Sequence, residues 1–123
     1  MFAELASKEE SYKLDHDVYL TAAACPSAPS TASQDATGCV AANQPWNAMR
    51  VQLPESKLYC SYQITSGAGG ATPTPPSPFS MSTPASSWYF IVATCEMDGS
   101  SSTHSSYFIS SLDSTIQKAN EGR

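Results

Sequence analysis

The chain has few charged residues and no long apolar run. Of its 123 residues only 14% are Asp, Glu, Lys or Arg, and the formal charge at pH 7 is -5. The six basic residues are scattered, whereas a nucleic-acid backbone is bound by clustered Lys and Arg. A membrane-spanning helix needs about 18 consecutive apolar residues, and the printed sequence has no such stretch. The composition therefore argues against a nucleic-acid partner and against a membrane span within these residues.

Motifs for metal binding and hydrolysis are also missing. None of the four cysteines lies in a CxxC motif, which disfavours a zinc site, and no GxSxG setting accompanies the two histidines, His16 and His104. A hydrolytic triad is thus disfavoured, and both histidines are expected in solvent-exposed turns. We therefore expect a protein that is not an enzyme.

The cysteines point instead to disulfides. An even number in a short chain with a Ser-, Thr- and Pro-rich composition favours two bridges and an oxidising compartment. Three pairings are possible. We favour Cys25 with Cys39, which would close a loop containing Pro, Ser and Gly, and Cys60 with Cys95, which would join two predicted strands.

Residues 1–15 are predicted to form an α-helix. Helix-forming residues fill the segment, and Phe2, Leu5 and Tyr12 recur at helical spacing as an apolar stripe. Two Glu-to-Lys pairs at i,i+4 would stabilise an exposed face. The adjacent Glu9 and Glu10 are expected to be solvated, because consecutive helical residues point about 100° apart.

The two ends of this helix differ. Asp15, His16 and Asp17 predict its end, since Asp tolerates the left-handed conformation that terminates helices. The apolar residues 18–20 that follow are expected to tie the exit back to the core. No Ser, Thr, Asp or Asn precedes Phe2 as a cap, and no signal peptide is recognisable. We therefore expect a longer helix that continues upstream, in a mature or truncated chain.

The remainder of the chain predicts a sheet. Residues 16–45 contain chain breakers and no apolar period, which indicates a long loop. Apolar alternation predicts strands at 46–53, 58–65, 87–94 and 107–110, with a short last strand at 115–118. The nearly continuous apolar run at 87–94 is typical of a central strand covered on both faces. The prediction is one α+β domain, 1–123, in which an N-terminal helix packs on a small antiparallel sheet (46–123) of about four strands.

A Pro-rich segment, residues 66–86, interrupts the predicted sheet. It contains five prolines and three glycines without a usable period. Such a segment forms either a flexible excursion or an extended loop laid over a sheet. Its two large apolar residues, Phe79 and Met81, are expected to anchor it.

Several stretches resemble one family. "EESYKLDHDVYLT" is similar to the end of the long N-terminal helix of type IV pilins and type II secretion pseudopilins, with matching positions at Glu10, Tyr12, Asp15, Asp17 and Tyr19. "SWYFIVATCEMDG" resembles the family's central strand and acidic-Gly turn, and "YFISSLDSTIQKANEG" its closing strands. The family's Gly cleavage site, following Phe, Glu at the fifth mature position and apolar helical segment are absent from the printed sequence.

The resemblance implies a pilin-like headgroup without the membrane half of its helix. Such a chain would be a structural subunit of a type IV pilus or pseudopilus, assembling with other subunits through the helix that carries Phe2, Leu5 and Tyr12. Its precursor would be anchored in the inner membrane, and the headgroup would be periplasmic or extracellular. The alternative is a minor pilin that acts as a tip adhesin or ligand-binding module.

One turn offers a weak metal candidate. In "CEMDGSSSTH", Glu96, Asp98, hydroxyls and carbonyls form a set of hard oxygen ligands that could hold calcium. The turn lacks dense DxDxDG carboxylates, and its alternative interpretation is an ordinary Asp-Gly turn. We expect no other cofactor.

Overall fold

The chain forms an N-terminal helix followed by antiparallel strands. The structure is a computed structural model that describes residues 1–26, 28–30, 32, 34–53, 57–76, 79–96, 105–112 and 115–119. The helices are α1 (Phe2–His16) and α2 (Pro45–Ala48), with a 3₁₀ turn at Thr37–Val40. The strands are β1 (Ala22–Cys25), β2 (Gln34–Asp35), β3 (Lys57–Leu58), β4 (Ser61–Gly67), β5 (Trp88–Cys95), β6 (Ser105–Ser110) and β7 (Gln117–Ala119). The predicted α+β class is confirmed.

Helix α1 ends where the sequence predicts. Asp17 adopts the left-handed conformation with φ of 63°, and its N–H donates to the Lys13 carbonyl at 2.7 Å. At the other end, Met1 makes no side-chain capping bond, in agreement with the missing cap residue. The helix is therefore held by its packing and by its C-terminal cap.

The main sheet has five antiparallel strands in the order β1-β4-β5-β6-β7. Strand β5 is its middle strand, and six of its eight residues are buried. On the face toward α1, Ile91 lies directly opposite Ile64 of β4 and Ile109 of β6. The predicted central position of the 87–94 run is confirmed.

The prediction of about four strands was too low, and β1 is the missing edge. It lies inside the predicted loop 16–45, where Ala22–Cys25 pairs with β4. Three alanines and a cysteine carry no apolar alternation, so the strand had no sequence signal. Its position depends on backbone pairing with a neighbour distant in sequence.

The predicted strand at 46–53 was wrong. Pro45 opens the short helix α2, in the first-turn position that Pro favours. Trp46 and Met49, three residues apart, are both buried on its inner side. Apolar residues three apart fit the period of a helix, and in so short a segment this pattern resembles the alternation of a strand.

The predicted strand 58–65 is divided. Lys57–Leu58 (β3) pairs with β2 in a separate two-stranded sheet, and Ser61–Gly67 (β4) joins the main sheet. Tyr59, between the two strands, is 55% exposed. Between the two predicted strands, Pro54 and the residues up to 57 ("PESK") also predict a hairpin turn, and residues 54–56 lie outside the described residues.

Helix α1 covers one face of the main sheet. The core between them contains mainly aliphatic residues and two aromatics, namely Leu5, Ala22, Ala36, Cys39, Trp46, Met49, Val51, Leu58, Ile64, Tyr89, Ile91 and Ile109. Leu5 is fully buried and contributes the helix's main apolar contact. Burial of this kind supplies most of the driving force for a helix of this length.

The Pro-rich segment covers the opposite face, and we call residues 68–87 the strap. The Phe79 ring stacks on Phe108 with centroids 5.1 Å apart, and Met81 is half-buried against the same cluster. The strap's base is closed by hydrogen bonds from Gly70 N–H to the Pro84 carbonyl (2.8 Å) and from the Trp88 indole N–H to Ala71 (3.0 Å). Of the two alternatives for this segment, the loop laid over a sheet is confirmed.

Glycine is required where the strap leaves the sheet. A Cβ at Gly67 would overlap the Trp88 ring, and one at Gly69 would overlap the Ala85 backbone. These close approaches bring the two ends of the strap together beside Trp88. The glycines thus serve packing at the base of the strap rather than flexibility.

Both favoured disulfides are present. Cys25–Cys39 joins β1 to the 3₁₀ turn with Cα atoms 6.0 Å apart, and Cys60–Cys95 joins the start of β4 to the end of β5 at 4.3 Å. All four cysteines are paired. The two bridges indicate folding in an oxidising compartment, such as the periplasm or the extracellular space.

Candidate functional site

The three residues predicted to carry assembly, Phe2, Leu5 and Tyr12, lie on the inner side of α1. Leu5 is completely buried, and Phe2 packs edge-on against Tyr62 at 5.9 Å. Tyr12 is half-buried and stacks on His16 at 3.9 Å. The structure therefore brings these side chains to the domain's own core, where they pack the helix onto the sheet, and their part in assembly stays a prediction.

The outer side of α1 presents a different set of residues. Ala3, Ser7, Glu10, Ser11 and Leu14 follow helical spacing and are exposed to solvent. Leu14 is 85% exposed although its side chain is large and apolar. The outer side is thus small and polar over most of its length and becomes apolar near the end of the helix.

The exit from α1 continues this apolar end. Val18 is half exposed, so the prediction that it would tie the exit to the core was wrong. Tyr19 and Leu20 are partly buried and do pack against the core, as expected. The Ser66 hydroxyl donates to the Tyr19 carbonyl at 3.1 Å and fixes the exit to β4.

Glu9 was predicted to be solvated, and this prediction was wrong. Its side chain is fully buried, and Oε1 accepts a 2.9 Å hydrogen bond from the Leu20 backbone N–H. Oε2 is buried as well, without a hydrogen-bond partner among the described residues. Glu9 follows Leu5 by four residues and precedes Tyr12 by three, so its place within the apolar stripe was the available signal.

Burial makes the Glu9 carboxyl a weak acid. Loss of hydration raises its pKa to about 7, the negative charge of Glu10 adds to that rise, and the Leu20 hydrogen bond opposes it. A protonated carboxyl can still accept from Leu20 and exposes no unpaired charge to the core. The contact between helix and exit is consequently sensitive to pH near neutrality.

Glu10 and Tyr19 form a second contact between the helix and its exit. The Tyr19 hydroxyl donates to Glu10 Oε1 at 3.0 Å, and its ring meets that of Tyr89 on β5 edge-on at 4.8 Å. The Lys13 ammonium lies over the Tyr19 ring, 5.7 Å from its centroid, in a cation–π contact. Burial and the bond to Glu10 raise the pKa of Tyr19 to about 12, so the phenol remains a donor at neutral pH.

The remaining candidates from the sequence are the two histidines and the calcium ligands. His16 is the last residue of α1 and its Nδ1 lies 3.0 Å from the Tyr12 carbonyl, so the histidine belongs to the helix end. His104 and the calcium candidate Asp98 lie outside the described residues, and Glu96 follows β5 directly. Among the described residues no group of three or more His, Cys, Asp or Glu side chains could hold a metal, and the calcium prediction stays untested.

Neither a membrane-spanning helix among the described residues nor a matching protein points to a function. Within the residues described, no helix is both long and apolar enough to cross a bilayer. No family model matches the chain, and comparisons with curated proteins and with solved structures also found no match. A functional assignment therefore has to be argued from the chain's own residues.

Proposed function

We propose that the chain is the headgroup of a type IV pilin or pseudopilin, a structural subunit that assembles through its N-terminal helix. The observation that carries the proposal is the division of α1 into two sides. The inner side packs on an antiparallel sheet through Leu5, and the outer side is exposed from Ala3 to Leu14. A helix attached in this way can serve a folded headgroup and helix-to-helix contacts at the same time.

The outer side of α1 suits close packing of helices. Ala3, Ser7 and Ser11 are small and recur every four residues, which allows neighbouring backbones to approach. Leu14 adds exposed apolar area at the end of this surface, and Val18 exposes further apolar area just past the helix.

The proposed partners are other pilin or pseudopilin subunits. In the full-length precursor, an apolar helical segment upstream of Phe2 would anchor the subunit in the inner membrane before assembly. The headgroup would then be exposed to the periplasm or the cell surface, in keeping with its two disulfides. No catalytic role is proposed.

Site-directed crosslinking of the full-length protein in its native host tests this proposal. Because every cysteine of this chain is in a disulfide, Ser7→Cys on the outer side of α1 introduces one free thiol into it. One thiol forms one link, so we expect a bifunctional thiol crosslinker to give covalent dimers from sheared surface filaments. Ser82→Cys in the strap, also exposed, is the matched control and should give far fewer dimers.

Two results would contradict the proposal. One is a Ser7→Cys chain that reaches the surface and remains monomeric after crosslinking. The other is a precursor whose gene encodes no apolar segment before Phe2. Either would remove assembly through α1 as the function.

A second function, ligand binding, is favoured by a separate observation. The strap is packed onto the sheet through Phe79, and a groove of about 370 Å³ lies between the strap and strands β4 and β5. A packed strap beside a groove is what a ligand-binding module or tip adhesin would need.

A further inference from the structure

The strap covers only part of the outer face of the sheet and leaves a groove at its margin. Thr74 and Pro76 of the strap form one wall, and residues of β4 and β5 form the floor. Its volume of about 370 Å³ lies within the range of roughly 300 to 1,000 Å³ that is typical of small-molecule sites. The groove is therefore of ligand size rather than of protein-interface size.

The floor of the groove combines apolar and polar groups in a fixed register. Gln63 lies directly opposite Val92, and Thr65 lies directly opposite Phe90. Thr94 follows Val92 on the same face of β5, because side chains alternate along a strand. An apolar centre is thus flanked by one amide and by hydroxyls on both strands.

The polar side chains of the groove are available to a ligand. Gln63, Thr65, Thr74 and Thr94 line it, and among the described residues none of their side chains makes a hydrogen bond. Three hydroxyls can each donate and accept, and the Gln63 amide adds two donors and an acceptor. The groove therefore offers a mixed set of donors and acceptors at defined positions.

The described lining of the groove carries no charge. All of the described residues that line it are uncharged, so an anionic or cationic ligand would lose hydration without an opposite charge among them. A purely apolar ligand would leave the amide and hydroxyls without partners. The ligand class that fits is uncharged, with hydroxyls around its edge and C–H groups on its face.

We propose that this groove binds neutral carbohydrate. A pyranose ring would place its C–H face on Val92 and Pro76, while its hydroxyls exchange hydrogen bonds with Gln63, Thr65 and Thr94. The proposal gives the ligand class for the second function above and does not depend on filament assembly, because the folded chain alone contains the whole groove. Its failure would leave the proposal about α1 untouched.

NMR titration of the disulfide-bonded chain with neutral sugars tests the inference. The probes are glucose, galactose, N-acetylglucosamine and the disaccharides cellobiose and lactose, with sialic acid as the anionic comparison, each added up to tens of millimolar. We expect at least one of them to shift the Gln63 side-chain amide and the backbone amides of Thr65, Thr74 and Thr94. The shifts should be insensitive to salt, since no charge takes part.

Matched variants decide whether the groove is responsible. Gln63→Ala should weaken binding about three- to tenfold, the effect of losing one or two neutral hydrogen bonds. Thr65→Val keeps the side-chain shape and should weaken it by a similar or smaller factor. Gln52→Ala, an exposed glutamine outside the groove, is the control and should leave the affinity unchanged. The spectra themselves report whether each variant is folded.

Three outcomes would overturn the inference. The first is no shift with any of the sugars at the highest concentration. The second is a set of shifts that maps outside the groove or is unaffected by Gln63→Ala. The third is a clear preference for sialic acid or another anionic sugar that weakens with salt.

Discussion

The two faces of the central sheet are covered by different means. On one face α1 contributes a regular apolar stripe together with a buried carboxylic acid, Glu9. On the other face the described residues of the strap form no helix or strand and pack through the Phe79 ring, and no charged residue belongs to that described cluster. The comparison shows that repeating backbone structure is not needed to cover a sheet when one large anchor and a closed base are present.

The two covers should also differ in how far a disturbance spreads. A rigid helix that loses its main contact leaves a cavity, because its other contacts hold it in place. A strap that loses its anchor can lift off the sheet without disturbing the strands, because the hydrogen bonds at Gly70 and Trp88 still hold its base. We therefore expect global effects from changes on the helix face and local effects from changes on the strap face.

The largest effect is expected from Leu5→Ala. Leu5 is fully buried between α1 and the sheet, so its truncation should lower the free energy of unfolding by about 2 to 5 kcal/mol. Leu14→Ala in the same helix is the matched control. Leu14 is 85% exposed, so its loss should change stability by no more than about 0.5 kcal/mol. Urea denaturation measures both, and equal effects would refute the assignment of inner and outer sides.

A comparable effect is expected from Glu9 when the pH changes. The unfolded carboxyl loses its proton near pH 4.5, whereas burial raises the folded pKa to about 7. Between these values the unfolded state releases its proton first, so the Glu9 contribution to stability is greatest below pH 4.5 and falls as the pH rises to 7. At about 1.4 kcal/mol per pKa unit, the fall attributable to Glu9 is about 3 kcal/mol.

Two variants isolate the Glu9 contribution. Glu9→Gln cannot ionise and should flatten the dependence of the unfolding free energy between pH 4.5 and 7. Glu10→Gln removes the exposed neighbouring carboxylate and should keep most of that dependence, since burial is the main cause of the raised pKa. Denaturant titrations at several pH values give the comparison. A pH dependence that survives in Glu9→Gln would assign the effect to another group.

A smaller and local effect is expected from Phe79→Ala on the other face. The strap should loosen, and the unfolding free energy should fall by about 1 to 3 kcal/mol. The loss is smaller than for Leu5→Ala because the strap can move away from the sheet, so that no cavity persists. Hydrogen exchange should show lower protection of the residue 79 amide, which donates to the Pro76 carbonyl, and unchanged protection at Gly70 and within α1. Phe79→Leu retains an apolar anchor, so its unfolding free energy should fall less than that of Phe79→Ala. Uniform loss of protection across the sheet would contradict the local character of this cover.

The sequence predicted those features that have a strong local pattern. The stripe containing Leu5 predicted α1, the apolar run around Ile91 predicted the central strand, and Asp17 predicted the end of the helix. The disulfides were also predicted, Cys25–Cys39 because it closes a loop and Cys60–Cys95 because it joins two predicted strands. For the helix, its end and the central strand, a few neighbouring residues determine the outcome.

Features that depend on distant partners were not predicted. Strand β1 forms because β4 offers backbone groups to a segment of alanines that has no pattern of its own. Burial of Glu9 depends on the Leu20 N–H reaching back to the helix after the chain has turned. The groove at Gln63 depends on where Thr74 and Pro76 of the strap lie over β4 and β5. None of these contacts can be read from neighbours in the sequence.

The smallest effect concerns the end of α1, where the helix face gives way to the exit. Asp17 has φ of 63°, a conformation in which glycine is unstrained, so Asp17→Gly should raise stability by about 0.5 to 1 kcal/mol. Asp15→Gly, two residues earlier within the helix, should lower it by about the same amount, because helical glycine costs backbone entropy. Thermal unfolding at fixed pH resolves opposite signs. Destabilisation by both changes would mean that the Asp17 carboxylate, rather than its backbone, stabilises this end of the helix.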